Sequence, residues 1–350
     1  MPGSPAMPQQ PAYRMVLYML IGIVLALIGG AQSGLLLANL FALQGDLGMT
    51  SVETGWLSAA FSVANACGVM LLFKMRQQFG IRNFVMFTVS AVLFATGAQL
   101  LNVSIETEVI TRALSGISAS GLTALSVFYV MQGMPAAKKM FSSVAAISLS
   151  QVSLPLARVL SPLLLSDGSI HNLLEFQFAL ALLAFGLIVA LPLPETDRIK
   201  SFSPLDVLTL SLLAVGLIFL CGFFIQGPIQ WWDRAWLGYA LAIAIVCIGL
   251  AFSVEHYRAH PMLFTRWMRK REILSFAVAG VVVRFVLSEQ NFGAAGLLSN
   301  LGMSAMQLVP YQSMLAAAAA LGMVVSIATI NTNDLTRPVL IALGIIAVAS

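Results

Sequence analysis

Three arginines, Arg112, Arg158 and Arg284, stand inside tracts that are otherwise apolar. A charge at the centre of a membrane helix costs about 2.5–3.5 kcal/mol on insertion scales, so it tends to face a cavity or a partner. Arg284 falls close to the middle of its tract. Arg112 stands a few residues from the outer end of its own, near enough for a long side chain to snorkel to the interface. Arg158 lies between Pro155 and Pro162. No carboxylate sits near the middle of any tract, and Glu289, after Arg284, comes closest. Asp206 and Glu175 fall at tract ends, where water solvates a charge. Three arginines without a buried acid point to an anionic or amphiphilic substrate, because export of a cationic drug wants a buried carboxylate. The competing reading makes each arginine a structural group, paired or bonded to backbone carbonyls.

Uncharged polar residues in the same tracts are Gln32, Asn39, Asn65, Gln151, Gln290 and Asn291. They line a path or hydrogen-bond between helices, the latter worth about 0.6 kcal/mol on average. Gly29, Gly30, Gly116, Gly121 and Gly322 allow close helix approach, which packing alone explains. Cys67, Cys221 and Cys247 lie in apolar tracts without ligand spacing, so neither a disulfide nor a metal is expected. His171, His256 and His260 fall in connections. With no HExxH, G-x-S-x-G or phosphate-binding loop, the chain reads as a non-enzyme without cofactors.

The elements that must position these residues follow from composition. Of 350 residues 59% are apolar and 9% charged, against roughly 25% charged in soluble domains. Apolar tracts of about 20 residues, enough to cross a bilayer core, recur along the chain. In lipid the backbone satisfies its own hydrogen bonds, so these tracts are helices. The alternation of a membrane β-barrel is absent. The spans fall at 15–38, 54–73, 83–103, 109–131, 140–165, 174–194, 205–226, 236–254, 273–292 and 307–330, with an eleventh starting near Val339. The first is too long for a signal-peptide core and stays as a span.

With the N-terminus in the cytoplasm, three of the 18 basic residues are the arginines within spans and 14 fall on the inner side. Arg14, Lys74, Arg76, Arg82, Lys138, Lys139, Arg258, Arg266 and Arg271 are among them, and the opposite side holds only Arg234. That asymmetry sets orientation. The formal +4 charge is therefore topogenic and gives no reason to expect nucleic acid. The inner basic loops meet anionic lipid headgroups. Asp46, Glu53, Glu106, Glu108, Asp167 and Asp233 fall outside, and Trp231, Trp232 and Trp236 mark the outer interface.

Two segments repeat. Leu47-Gly48-Met49-Thr50-Ser51-Val52-Glu53 matches Leu301-Gly302-Met303-Ser304-Ala305-Met306-Gln307. Thr50 with Glu53, and Ser304 with Gln307, fit a helix capping box. Both copies follow an outward span and precede an inward one, so spans 1–2 and 9–10 read as parallel copies. This divides the chain into a tail at 1–14, a six-helix half at 15–200, an inserted helix pair at 201–255, a basic loop at 256–272 and the start of a second half at 273–350.

Further residues carry a family resemblance. Leu193-Pro194-Glu195-Thr196 closes span 6. Pro204 and Asp206 open span 7, and Gly227 with Trp231-Trp232 closes it. Glu255, followed by Pro261, Met262 and Leu263, leads to span 9. Thr111-Arg112-Ala113-Leu114-Ser115-Gly116 is similar to the span-4 motif of the major facilitator superfamily. The chain resembles the fourteen-span drug:proton antiporter family 2 of that superfamily over essentially its whole length. Of the loop motif between spans 2 and 3 it keeps Gly80 and the basic Arg76 and Arg82. Of the span-5 antiporter motif it keeps Pro155. The resemblance implies an all-α polytopic fold of two parallel six-helix halves with an inserted helix pair, in the cell inner membrane. The second half is incomplete, so the chain reads as C-terminally truncated. The implied function is proton-coupled efflux of drugs or toxic amphiphiles by alternating access. Arg112 takes a role in proton coupling or substrate binding, and Asn39 matches an asparagine near the end of span 1. Transport of an organic anion by the intramembrane arginines is the alternative. A non-transporting scaffold or sensor with a transporter fold is the third reading. The implied partners are a small-molecule substrate, protons and the lipid bilayer.

Overall fold

The structure is a computed structural model that describes residues 10–101, 104–135, 139, 141–165, 170–195, 198, 200–230, 233–259, 261–329, 340–341 and 344. It does not describe the side chains at 41, 46, 287–292, 300 and 326–329. Among the described residues every regular element is a helix. In chain order these are α1 (Ala12–Ala38), α2 (Leu40–Asp46), α3 (Ser51–Leu100), α4 (Ile105–Gly133), α5 (Ser142–Leu164), α6 (Ile170–Ala190), α7 (Pro204–Gln230), α8 (Ala235–His256), α9 (Thr265–Met268), α10 (Arg271–Asn300) and α11 (Val309–Thr329). Seven of them, α1 and α3 to α8, are long and apolar enough to cross a membrane. The chain is a membrane protein. Helices α10 and α11 occupy the expected spans 9 and 10, and the start of the eleventh at Val339 lies outside the described residues.

The expected spans 2 and 3 are one continuous element, α3, with a break rather than a loop. Gly80 sits at φ 81°, ψ 170° inside it, a region open essentially to glycine alone. Two helical segments meet there across a kink. Arg198, from the connection after α6, covers the break, its side chain in van der Waals range of Gly80.

Helix starts are set by side chains. Thr50 and Glu53 form a reciprocal capping box: Thr50 N–H donates to Glu53 Oε2 at 2.7 Å and Glu53 N–H to Thr50 Oγ1 at 3.3 Å. Ser304 and Gln307 exchange the same pair of bonds, at 2.8 and 3.4 Å, in the turn ahead of α11. The turns ahead of them also match. Gly48 has φ 60° and Gly302 φ 92°. Met49 N–H donates to Gln44 O at 2.9 Å and Met303 N–H to Leu298 O at 3.1 Å, closing both preceding helices by the same reach to a carbonyl five residues back. The two copies of the repeated segment thus fold alike.

The bundle core lies where α1 meets α4 and α5, and α3 meets α4 and α6. One apolar cluster gathers Tyr18, Leu25, Phe84, Leu122, Leu125 and Tyr129. A second, toward the opposite end, gathers Leu35, Leu36, Phe61, Ala119, Ala157 and Leu173. Tyr129 Oη donates to Leu191 O at 2.7 Å and Tyr18 Oη to Pro192 O at 2.8 Å, fastening the end of α6. Helices α7 and α8 pack on each other, and α7 also packs on α3. Helix α11 packs on α5. Helix α10 contacts the short α9, and its described side chains are mostly exposed.

Candidate functional site

The densest polar site was not assembled by sequence reasoning. It joins the end of the first segment of α3, the start of α7 and the end of α8. Asp206 is fully buried, Glu255 is 1% exposed and Lys74 is 4% exposed. Arg258, just beyond α8, bridges both acids. Its Nη2 lies 2.8 Å from Asp206 Oδ1 and its Nη1 2.6 Å from Glu255 Oε1. Lys74 Nζ reaches Asp206 at 3.5 Å and donates to Ser201 O at 2.9 Å. The acids take further donors from Ser203 N–H at 2.7 Å, Thr209 Oγ1 at 2.8 Å and Met262 N–H at 2.5 Å. Burial alone lowers the pKa of Arg258, but the hydrogen bonds and charges of Glu255 and Asp206 outweigh it and hold the group above its ordinary value. A raised pKa stabilises the fold below the unfolded value and loses that effect only above it, so Arg258 stays charged through neutral pH.

Asp206 therefore corrects the expectation of a solvated span-end acid. A charge with no access to water survives only when paired and hydrogen-bonded, and here two cations meet two anions. Gln78 completes the arrangement, accepting from Phe202 N–H at 2.8 Å and Ser201 N–H at 3.3 Å. Both acids were visible as markers of the inserted pair. Their burial was not, because it depends on the packing of α7 against α8 and on Lys74 from the distant α3. Glu175 does match expectation: it is exposed, with His171 beside it at 3.1 Å.

Arg112 shows the same logic inside α4. It is 2% exposed, and its Nε donates to Glu108 Oε1, one helical turn earlier and 1% exposed. Glu108 is thus not a solvated acid, and Arg112 turns to it rather than to the surface. The second oxygen of Glu108 is buried without a hydrogen-bond partner. Gly116, one turn further along, lies directly against the backbone of Phe61 and Asn65. A side chain there would separate α4 from α3. Asn65 Nδ2 donates to Gly116 O at 3.0 Å across the same contact.

Asn39 is 2% exposed. Its amide donates to Leu35 O at 2.8 Å, and its oxygen accepts from Ser161 Oγ on α5. Gln32 is buried on α1, its amide nitrogen without a hydrogen-bond partner. Gln99 and Ser115, which sequence reasoning did not single out, join α3 to α4 at 3.0 Å. Gln177 on α6 is buried with both amide atoms unpartnered.

The remaining candidates do not converge on these groups. Arg158 is half-buried on α5, within electrostatic reach of Tyr311 on α11. Gln151 is exposed on α5. Arg284 is exposed on α10, which does not bring it to Arg112 or Arg158. The side chains of Glu289, Gln290 and Asn291 lie outside the described residues, as do Trp231 and Trp232. Arg76 lies over the ring of Phe128, 5.0 Å from its centroid, while Arg82 is exposed. Pro155 lies within α5. Among the described residues no group of His, Cys, Asp and Glu could hold a metal.

No family model matches the chain. It does have a curated relative: it is 26% identical over 245 residues to the fatty acid resistance protein FarB of Neisseria gonorrhoeae. The match takes in 67% of this chain and 46% of FarB, so the chain spans about half the length of that relative. The two charge clusters are internally neutral. Their chemistry is to fasten helices, so any binding capacity must reside in the less polar surfaces between them.

Proposed function

We propose that the protein is a secondary transporter that exports single-chain amphiphilic acids of the fatty-acid kind by alternating access. The observation that carries this reading is the similarity to a fatty acid resistance protein in a chain built of membrane-spanning helices. It unites two expectations from the sequence, since a fatty acid is both a toxic amphiphile and an organic anion. The major facilitator plan of two parallel halves is supported by the matched turns at Gly48 and Gly302. Proton coupling, an inner-membrane location and a cytoplasmic N-terminus belong to the same proposal, the last from the basic asymmetry of the connections.

Expression in a bacterial strain sensitised to long-chain fatty acids tests the reading. Growth at a several-fold higher fatty-acid concentration than the empty-vector strain is the expected outcome. Unchanged sensitivity, with the protein present in the membrane, contradicts it.

A further inference from the structure

An elongated cavity of 530 Å³ opens between α3, α4 and α7, with a wall that is almost wholly apolar. Trp56, Ala60 and Leu71 on α3, Ala113 on α4, and Leu210 and Ala214 on α7 line it, and Ser211 contributes a hydroxyl. From Trp56 to Leu71 it follows α3 for about 22 Å at the helical rise. One leaflet of hydrocarbon is about 15 Å deep, half of the bilayer core. The groove therefore runs past mid-membrane.

Its two ends differ in charge. Lys74 follows Leu71 by less than one turn and Asp206 precedes Leu210 by about one turn, so the groove stops against the Lys74–Asp206–Arg258 network. That end of the bundle also carries Arg76, Lys200 and Arg266. The Trp56 end lies near Glu53 and Glu106, in the first turns of α3 and α4. The Lys74–Asp206–Glu255–Arg258 cluster is itself neutral, so Arg76, Lys200 and Arg266 are the charges that favour an anionic head at that end, and Glu53 and Glu106 leave the other end to a methyl terminus.

We propose that this groove binds one fatty acyl chain, its carboxylate toward the Lys74–Arg258 end and its methyl terminus toward Trp56. The proposal rests on the transport reading above and assigns that reading a site. A phospholipid does not fit the same description. It brings two chains and a bulky headgroup, where the lining residues offer one run along α3. In lipid no hydrophobic gain separates groove from surroundings, so selection comes from shape and from the charge at the two ends. The volume falls within the roughly 300–1,000 Å³ typical of small-molecule sites.

Trp56 supplies the test. In a variant with Trp231, Trp232, Trp236 and Trp267 replaced by phenylalanine, Trp56 is the sole tryptophan. The variant is reconstituted in unbrominated phosphatidylcholine vesicles. Stearic acid brominated near its methyl end should quench Trp56 saturably and more than stearic acid brominated near its carboxyl. Unlabelled oleic acid should reverse the quenching, and Ala64→Phe or Ser211→Phe should abolish it. Equal quenching by both positional isomers, or quenching that brominated phosphatidylcholine reproduces and oleic acid does not reverse, would overturn the proposal and leave an ordinary lipid-facing surface. Fatty-acid flux in parallel vesicles separates the two claims. Flux without saturable quenching removes the groove and keeps the transport reading. Saturable, orientation-dependent quenching without flux keeps the groove and removes transport.

Discussion

At the scale of single residues, the intramembrane arginines divide by what accompanies them. Arg112 has Glu108 one turn away, both almost fully buried. Removing one member of such a pair leaves an uncompensated charge and costs about 3–5 kcal/mol, whereas replacing both with apolar groups is often neutral. Arg112→Ala alone should therefore lower thermal stability markedly in detergent, and Arg112→Met with Glu108→Leu should restore it. Transport by the restored double variant decides the role of the arginine. Retained flux makes it structural, and lost flux in a stable protein makes it functional. The sequence showed Arg112 and Gly116 as a motif, but not the ion pair. Glu108 lies at a tract edge, where linear reading assigns it to water. Only the depth at which α4 packs against its neighbours buries it.

At the scale of elements, period and composition located the helices well, because a membrane helix satisfies its own backbone and needs no partner to be recognised. The connections were less legible. Gly80 marks a break within α3, where a run of basic residues reads as a loop. Fastening the α7–α8 pair to α3 depends on Lys74, Asp206, Glu255 and Arg258. Asp206→Asn leaves Lys74 and Arg258 facing each other with one acid fewer. The expected result is a lower unfolding temperature and faster proteolysis in the 195–203 connection, with the Gly22–Tyr129 side of the bundle still protected. Protection unchanged in both regions would show that apolar contacts alone hold the pair.

At the scale of the whole molecule, the network and the groove form one arrangement. The charges pin α7 to α3 at the basic end, and the groove opens along the same two helices above them. In an alternating-access cycle the inserted pair would then travel with the bundle it is pinned to, carrying the groove as a fixed feature. The all-helical membrane architecture was legible from composition, and the repeated turn from a short sequence match. The groove was not, since apolar residues lining a cavity and apolar residues facing lipid have the same composition. The central claim is transport of an amphiphilic acid. Its most direct test is flux in proteoliposomes under an imposed proton gradient, comparing a long-chain fatty acid with a lipophilic cation. Gradient-dependent movement of the fatty acid at several times the protein-free rate is expected, with the cation unmoved. Gradient-driven movement of the cation alone would contradict it.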